Sequence, residues 1–319
     1  MREYGPGRPL VFNHIPKTAG STITAALEQI LQPAVFVRGL DRALVGGYDD
    51  LDAVKPSART PFFMSPQDMP ADATMVAGHI APGTTMPRYP LGDHITLLRA
   101  PHTRLISQWL HGRSVSEFSL RHWGPSAEAF RVARLPLSNY LQHAMLAPNV
   151  DNTITRFLVW PHPALSPTSF IEERDDDDIF TAAIERLDAF AHVDVVENPD
   201  FMAALGGWLG QELPHSRLNE RTSVPPRMRP DLAAELRGGT REALEHRLRI
   251  DNRVWAHIAR RVMPDTDVEQ VREAALQKTI DRYAGMLTEP SGPITLRRVV
   301  ERTYEIGVRF DPRRRSVRH

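Results

Sequence analysis

The sequence predicts an α/β protein: a three-layer sandwich built on a central, mostly parallel sheet, with a helix-rich C-terminal part. Three observations point there. Short apolar runs of strand length alternate with helix-period stretches through the first third of the chain. Strands that alternate with helices imply crossover connections, and crossovers give parallel strands. Beyond Glu197 the strand-length runs stop and helical stretches take over.

Leu10 to Ile15 is the first strand-like run. Over Ser21 to Leu31 the period changes: Ile23, Ala26, Leu27, Ile30 and Leu31 share one helical face, and Pro33 ends the helix. Pro61 to Met64 and Thr74 to Ile80 read as short buried strands. His94 to Arg99 is the clearest strand, followed by a helix over Pro101 to His111 that Gly112 is expected to stop. Phe180, Ala183, Ile184 and Leu187 form a helical stripe, and Ala191 to Glu197 reads as a further strand. Helices are expected over Pro199 to Leu209, Pro230 to Leu236, Thr240 to Val262 and Asp265 to Leu287. The acidic run Glu172 to Asp178 reads as a solvated loop whose charge favours the N-terminus of the next helix. The division expected is a main domain over residues 1–263 and a helical extension over 264–319 with a basic tail.

Composition excludes several classes. Lys+Arg and Asp+Glu are both 39, so the chain lacks the basic excess of a sequence-independent nucleic-acid binder, and no nucleic-acid partner is expected. With no cysteine, a disulfide scaffold, a thiolate metal site and a cysteine nucleophile are impossible. No apolar run reaches the roughly 18–20 residues of a membrane helix. The apolar stretch Leu10 to Phe12 is too short for a signal sequence, so no targeting segment is read and a cytoplasmic location is expected.

The most informative stretch runs from Leu10 to Gln29, LVFNHIPKTAGSTITAALEQ. A strand enters a short loop and the loop opens a helix, the geometry of a P-loop-like phosphate cradle. Backbone N–H groups of Thr18, Ala19, Gly20, Ser21 and Thr22 would point at an anion with the helix dipole behind them. Gly20 is expected to let the backbone approach the ligand, and Ser21 and Thr22 to add hydroxyls and cap the helix. The motif is not a Walker A sequence, which places its lysine immediately before the Ser/Thr. Here Lys17 precedes Gly20, where it can reach the bridging oxygen of a phosphate ester. An ordinary strand-to-helix turn is the competing reading.

The residues HIPKTAGST closely resemble the 5′-phosphosulfate loop of sulfotransferases that use 3′-phosphoadenosine 5′-phosphosulfate (PAPS). A second stretch, ITLLRAPHTRLISQWLH, resembles their 3′-phosphate motif, most closely in the heparan sulfate 6-O- and 2-O-type carbohydrate sulfotransferases; Ala100 stands where that family has Asp. The resemblance implies that Arg99 and Ser107 bind the 3′-phosphate. Fainter echoes lie at Asp151 to Leu158, Val193 to Glu197, Leu218 to Ser223 and Asp251 to Ala259, so that the likeness covers residues 8–263. By that likeness Arg221, Thr222 and Ser223 belong to a loop that closes over the nucleotide. The implied donor is PAPS, with product PAP, no metal, and a carbohydrate or small-molecule hydroxyl as acceptor.

Sulfuryl transfer is a loose in-line displacement governed by positioning and electrostatics. Lys17 is assigned to the charge that develops on the leaving phosphate. The acceptor hydroxyl needs a base, and of 13 histidines His79, at a strand end in VAGHIAPGT, matches the position of the family's base between the two motifs. His14 is expected to orient Lys17 or pack, and His102 and His111 to lie on the surface or at the substrate's edge. Two other readings compete: a P-loop small-molecule kinase, and a non-catalytic nucleotide-binding module.

Overall fold

Four consecutive buried residues, Leu10 to Asn13, make the first strand the middle of a sheet, because only a strand covered on both faces can be apolar on both. The computed structural model describes residues 2–41, 62–63, 66–121, 127–214 and 224–287. Its strands are β1 (Leu10–Asn13), β2 (Phe36–Asp41), β3 (Phe62–Phe63), β4 (Met75–His79), β5 (Asp93–Leu98) and β6 (His192–Val195). They form one sheet in the order β3-β2-β4-β1-β5-β6, and every pairing is parallel.

The helices, in chain order, are α1 (Gly20–Leu31), α2 (Pro82–Arg88), α3 (Pro101–Ser114), α4 (Glu117–Leu120), α5 (Ala127–Val132), α6 (Leu137–Gln142) and α7 (Ala147–Val150). Then follow α8 (Thr153–Val159), α9 (Asp176–Asp188), α10 (Phe201–Leu209), α11 (Leu232–Glu235), α12 (Thr240–Arg247), α13 (Arg249–Val262) and α14 (Val268–Leu287). Leu10 and Phe12 point to the face covered by α1 and α10, where they meet Ile23, Leu27 and Leu205. The opposite face carries α8, α9 and α13 through Phe157, Ile179 and Trp255 packed on Leu98 and Val195. Two helical layers thus enclose one sheet, the expected α/β sandwich. Among the described residues no helix is long and apolar enough to cross a membrane. A third cluster lies beside the sheet: Leu276, Tyr283 and Met286 of α14 pack with Leu105, Trp109 and Leu110 of α3.

Four local expectations change. β2 is a strand that the periodicity did not reveal: in FVRGLD the charged Arg38 and Asp41 interrupt any apolar run. Gly112 does not stop α3, which continues to Ser114; a Cβ there would overlap Ala133, so the glycine serves close packing against the segment after α5. The helix expected over Thr240 to Val262 is two helices, broken at Leu248, whose φ of −112° and ψ of 12° leave the helical region. The acidic run is not a loop throughout: Asp176, Asp177 and Asp178 form the first turn of α9. There they favour the helix dipole, and Arg249 and Arg253 of α13 pair with Asp176 and Asp177, at 2.7 and 2.8 Å.

The fainter sequence echoes meet in a buried polar knot that joins α8 to α13. Asn152 adopts φ 47°, and its Oδ1 accepts the N–H groups of Ile250 and Asp251, at 2.9 and 3.1 Å. Asp251 in turn accepts from the Ile154 and Thr155 N–H groups at the start of α8. Arg156 pairs with Asp151 at 2.7 Å. Each buried charge or amide has a partner, which is what makes its burial tolerable.

Candidate functional site

The strand order sets the site. β4 and β5 lie on either side of β1 and run parallel to it, so all three C-terminal ends emerge on one edge. The connection after β1 leads towards β2, and the one after β5 leads the other way to β6. An open sheet whose connections diverge in this way leaves a crevice at the strand ends. The loop with Lys17 and Thr18 follows β1, His79 ends β4, and Arg99 follows β5. His79 and Arg99 are thus two strand spacings apart, about 10 Å, with the loop between them.

The loop is held in an uncommon conformation. Lys17 and Ala19 have φ of 72° and 62°, left-handed values that cost a side-chain-bearing residue energy. Two contacts hold it: the buried Thr18 hydroxyl donates to the Ile15 carbonyl at 2.9 Å, and Arg99 Nη1 donates to the Lys17 carbonyl at 3.1 Å. The second links the two stretches singled out in the sequence across the β1–β5 pair. Ala19, not Ser21 or Thr22, is the N-cap residue of α1, with no side-chain cap, so the helix opens at Gly20. Its first-turn N–H groups face the crevice end of the sheet without a side chain of their own helix capping them.

Gly20 has a reason that the sequence did not reveal. A Cβ on it would overlap the His14 imidazole, which stacks on Phe12 and lies 4.4 Å, centroid to centroid, from His79. The glycine makes room for the His14 ring. Gly20→Ala would add about 1 kcal/mol of helix propensity but should lose more by displacing the ring, about 1–3 kcal/mol for an overpacked site. Urea unfolding is expected to show a lower midpoint; a higher one would mean that the His14 ring yields freely.

His79 Nδ1 lies 2.7 Å from the His14 carbonyl oxygen. A carbonyl only accepts, so Nδ1 carries the proton and Nε2 of the neutral ring holds a lone pair. Burial lowers the pKa of His79 below 6.5, the His14 hydrogen bond opposes the shift, and Lys17 reinforces it. His14 is lowered more strongly, by burial and then by His79 and Lys17. Lys17 is pushed down to about 8 by burial, then by Arg99 and Arg104.

One face of α3 completes the site. Arg104, Ser107 and His111 are spaced i, i+3, i+7 and share that face. Arg104 acts electrostatically on Lys17, and both Lys17 and His79 act on His111, whose pKa falls to about 4, burial being the largest cause. Ser107, buried, therefore lies on the face turned to the loop. Sequence reasoning left out Arg104 and placed His111 at the surface or at the substrate's edge; Arg104 three residues before Ser107 and His111 four after it were the available signal. His102, expected at the surface or at the substrate's edge, is buried against Glu245, at 2.9 Å. Glu197, after β6, accepts from Ala100 N–H and Trp255 Nε1, at 3.0 and 3.1 Å, so both of its oxygens are committed to holding the β5 end. Arg221, Thr222 and Ser223 lie outside the described residues, as does the basic tail.

No family model matches this sequence, and no curated protein matches it.

The edge therefore combines imidazoles after β1, at the end of β4 and on α3 with Lys17 in the strained loop and Arg99 after β5. Among the described residues no group of acidic and histidine side chains is arranged to hold a metal ion. Chemically, such an edge can bind an oxyanion and remove a proton from a neutral hydroxyl beside it.

Proposed function

We propose that the protein is a PAPS-dependent sulfotransferase that acts in the cytoplasm on a hydroxyl of a carbohydrate or small-molecule acceptor. The observation that carries the reading is the 3.1 Å hydrogen bond from Arg99 to the Lys17 carbonyl, which joins the two anion motifs into one site. The residues suit the donor: Lys17, Arg99 and Arg104 form a concentration of positive charge in which, among the described residues, none is neutralised by an ion pair. A PAPS molecule supplies a sulfuryl group already activated by its bond to phosphate.

Lys17, Thr18, Ala19, Gly20, Ser21 and Thr22 hold the phosphosulfate end, and Arg99 with Ser107 the 3′-phosphate. His79 Nε2 takes the proton from the acceptor hydroxyl as its oxygen bonds to sulfur. The bond from sulfur to the bridging oxygen breaks, and the Lys17 ammonium stabilises the charge left on the phosphate. His79 ends β4 and Lys17 lies in the loop after the neighbouring β1; an in-line displacement requires the two to act on opposite sides of the sulfur.

The test is calorimetry with PAP in buffer containing a chelator. A single site is expected, with ATP a weak competitor. Binding that requires magnesium, or that prefers ATP, would favour a kinase; tight PAP binding with no sulfate transfer to any hydroxyl would favour a non-catalytic nucleotide-binding module.

A further inference from the structure

A cleft lies between the loop after β1 and helices α7 and α8. It holds about 430 Å³ of empty space, part of it open to solvent, room for a single ring system and not for an extended chain. Pro16 forms one wall and is bonded to Lys17, so the cleft reaches within one residue of the proposed phosphosulfate loop. Trp160 forms another wall. Its carbonyl packs so closely on Gly83 that a Cβ there would lie 2.0 Å from it, and Gly83 stands four residues after His79. The cleft therefore adjoins the loop that carries Lys17 on one side and the segment that follows His79 on the other.

The walls decide what it can hold. Pro16, Pro148, Phe157 and Trp160 are rings with apolar surface, the lining that suits a flat apolar ligand. The one charged residue in the lining, Arg156, is fully engaged. Its Nε and Nη2 donate to the Asp151 carbonyl and carboxylate, at 2.8 and 2.7 Å, and its Nη1 and Nη2 to the Ser166 and Ser169 carbonyls, at 2.8 Å each. The lining thus offers no free cation to a sulfate or carboxylate on the acceptor, and an anion buried without a partner is costly. Its other polar side chains are the Asn149 amide and the Thr153 hydroxyl, which already accepts from Arg104 at 3.0 Å. Those are too few for the several hydroxyls of a buried sugar ring. We infer that this cleft is the acceptor subsite, and that it takes an uncharged aromatic ring carrying the reacting hydroxyl, packed against Trp160, rather than a sugar. The inference rests on the proposed function for the role of the cleft, and on the walls alone for the class of ligand.

The test titrates the full chain, with and without saturating PAP, with 2-naphthol and separately with methyl β-glucoside, by calorimetry. The first is a flat ring with one hydroxyl; the second is an uncharged ring with several. 2-Naphthol is expected to bind and the glucoside is not. Trp160→Ala should lower the affinity for 2-naphthol about tenfold or more, by removing the apolar contact, and leave that for PAP unchanged. A second variant, Asn149→Phe, fills the cleft. Residue 149 is half-buried and meets Arg104 through its backbone carbonyl, which the change retains, so this variant should melt as the parent does and lose 2-naphthol binding. Unchanged affinity for 2-naphthol in either folded variant overturns the inference, as does a preference for the glucoside. Displacement of 2-naphthol by PAP would give the cleft to the adenine ring and overturn it as well. The two readings fail separately. Binding of 2-naphthol that Trp160→Ala weakens, without PAP binding, retains the cleft as a ring site and removes the proposed donor. PAP binding with no binding of 2-naphthol retains the donor and removes the cleft.

Discussion

His79→Ala is expected to leave PAP affinity nearly unchanged while turnover falls about 10²–10⁴-fold, the loss typical of a missing general base. The geometry explains the separation. His79 stands at the end of β4, on the far side of the β1 loop from Arg99, and its Nδ1 is bound to the His14 carbonyl. Nε2 is the atom left to act. Protonation at low pH removes the lone pair, so the rate should fall as pH falls through the pKa of His79. Because burial lowers that pKa from 6.5, the acid limb should lie below 6.5 and full activity should extend across neutral pH. His111, at about 4, is the neighbour most easily confused with it. A limb that survives in the His79 variant would assign the proton to His111 or His14. A collapse of PAP affinity would show that His79 holds the strand end instead. Glu197, each of whose oxygens accepts one hydrogen bond at the β5 end, is the other candidate base that the same pH profile tests.

Lys17→Ala should lower turnover about 10²–10³-fold, the range for removing one preorganised donor from developing charge. It should weaken PAP binding as well, because the ammonium meets the donor before reaction. The substitution isolates the ammonium cleanly. Alanine bears the same left-handed backbone cost at φ 72°, and Arg99 binds the carbonyl of residue 17, which the change retains. Proton linkage gives an independent reading. With its pKa at about 8, Lys17 is only part-charged in the free protein at pH 8. A bound anion favours the charged form and raises the pKa, so binding at pH 8 should take up as much as about half a proton. Calorimetry in two buffers of different ionisation enthalpy measures that uptake, which should vanish in Lys17→Ala. Its persistence in the variant would place the titrating group elsewhere.

The local pieces of this site were legible in the chain. A short apolar run, a loop with lysine before glycine, and an i, i+3, i+4 helical face each depend on residues close together in sequence, and β1, α1, β5 and α3 stand where those patterns put them. Strand β2 was not legible, because Arg38 and Asp41 sit in a strand paired on both sides, and no periodicity announces such a strand. The break at Leu248 was missed for a related reason: a helical stripe can run on through two helices that share a face, and the tie from Asn152 to Ile250 and Asp251 comes from a hundred residues away.

By itself, the sequence determined the fold class, the loop after the first strand and the two stretches here proposed to hold an anion. Only the tertiary structure decided that the strands carrying them are neighbours, with His79 on the remaining side of β1. It alone showed that Gly20 yields its space to the His14 ring, and that Arg104 is buried with its Nε and Nη1 unpartnered. The reason is physical. Periodicity and turn chemistry act over a few residues, whereas strand order, burial and the electrostatic company of a charge are set by segments that meet only when the sheet closes.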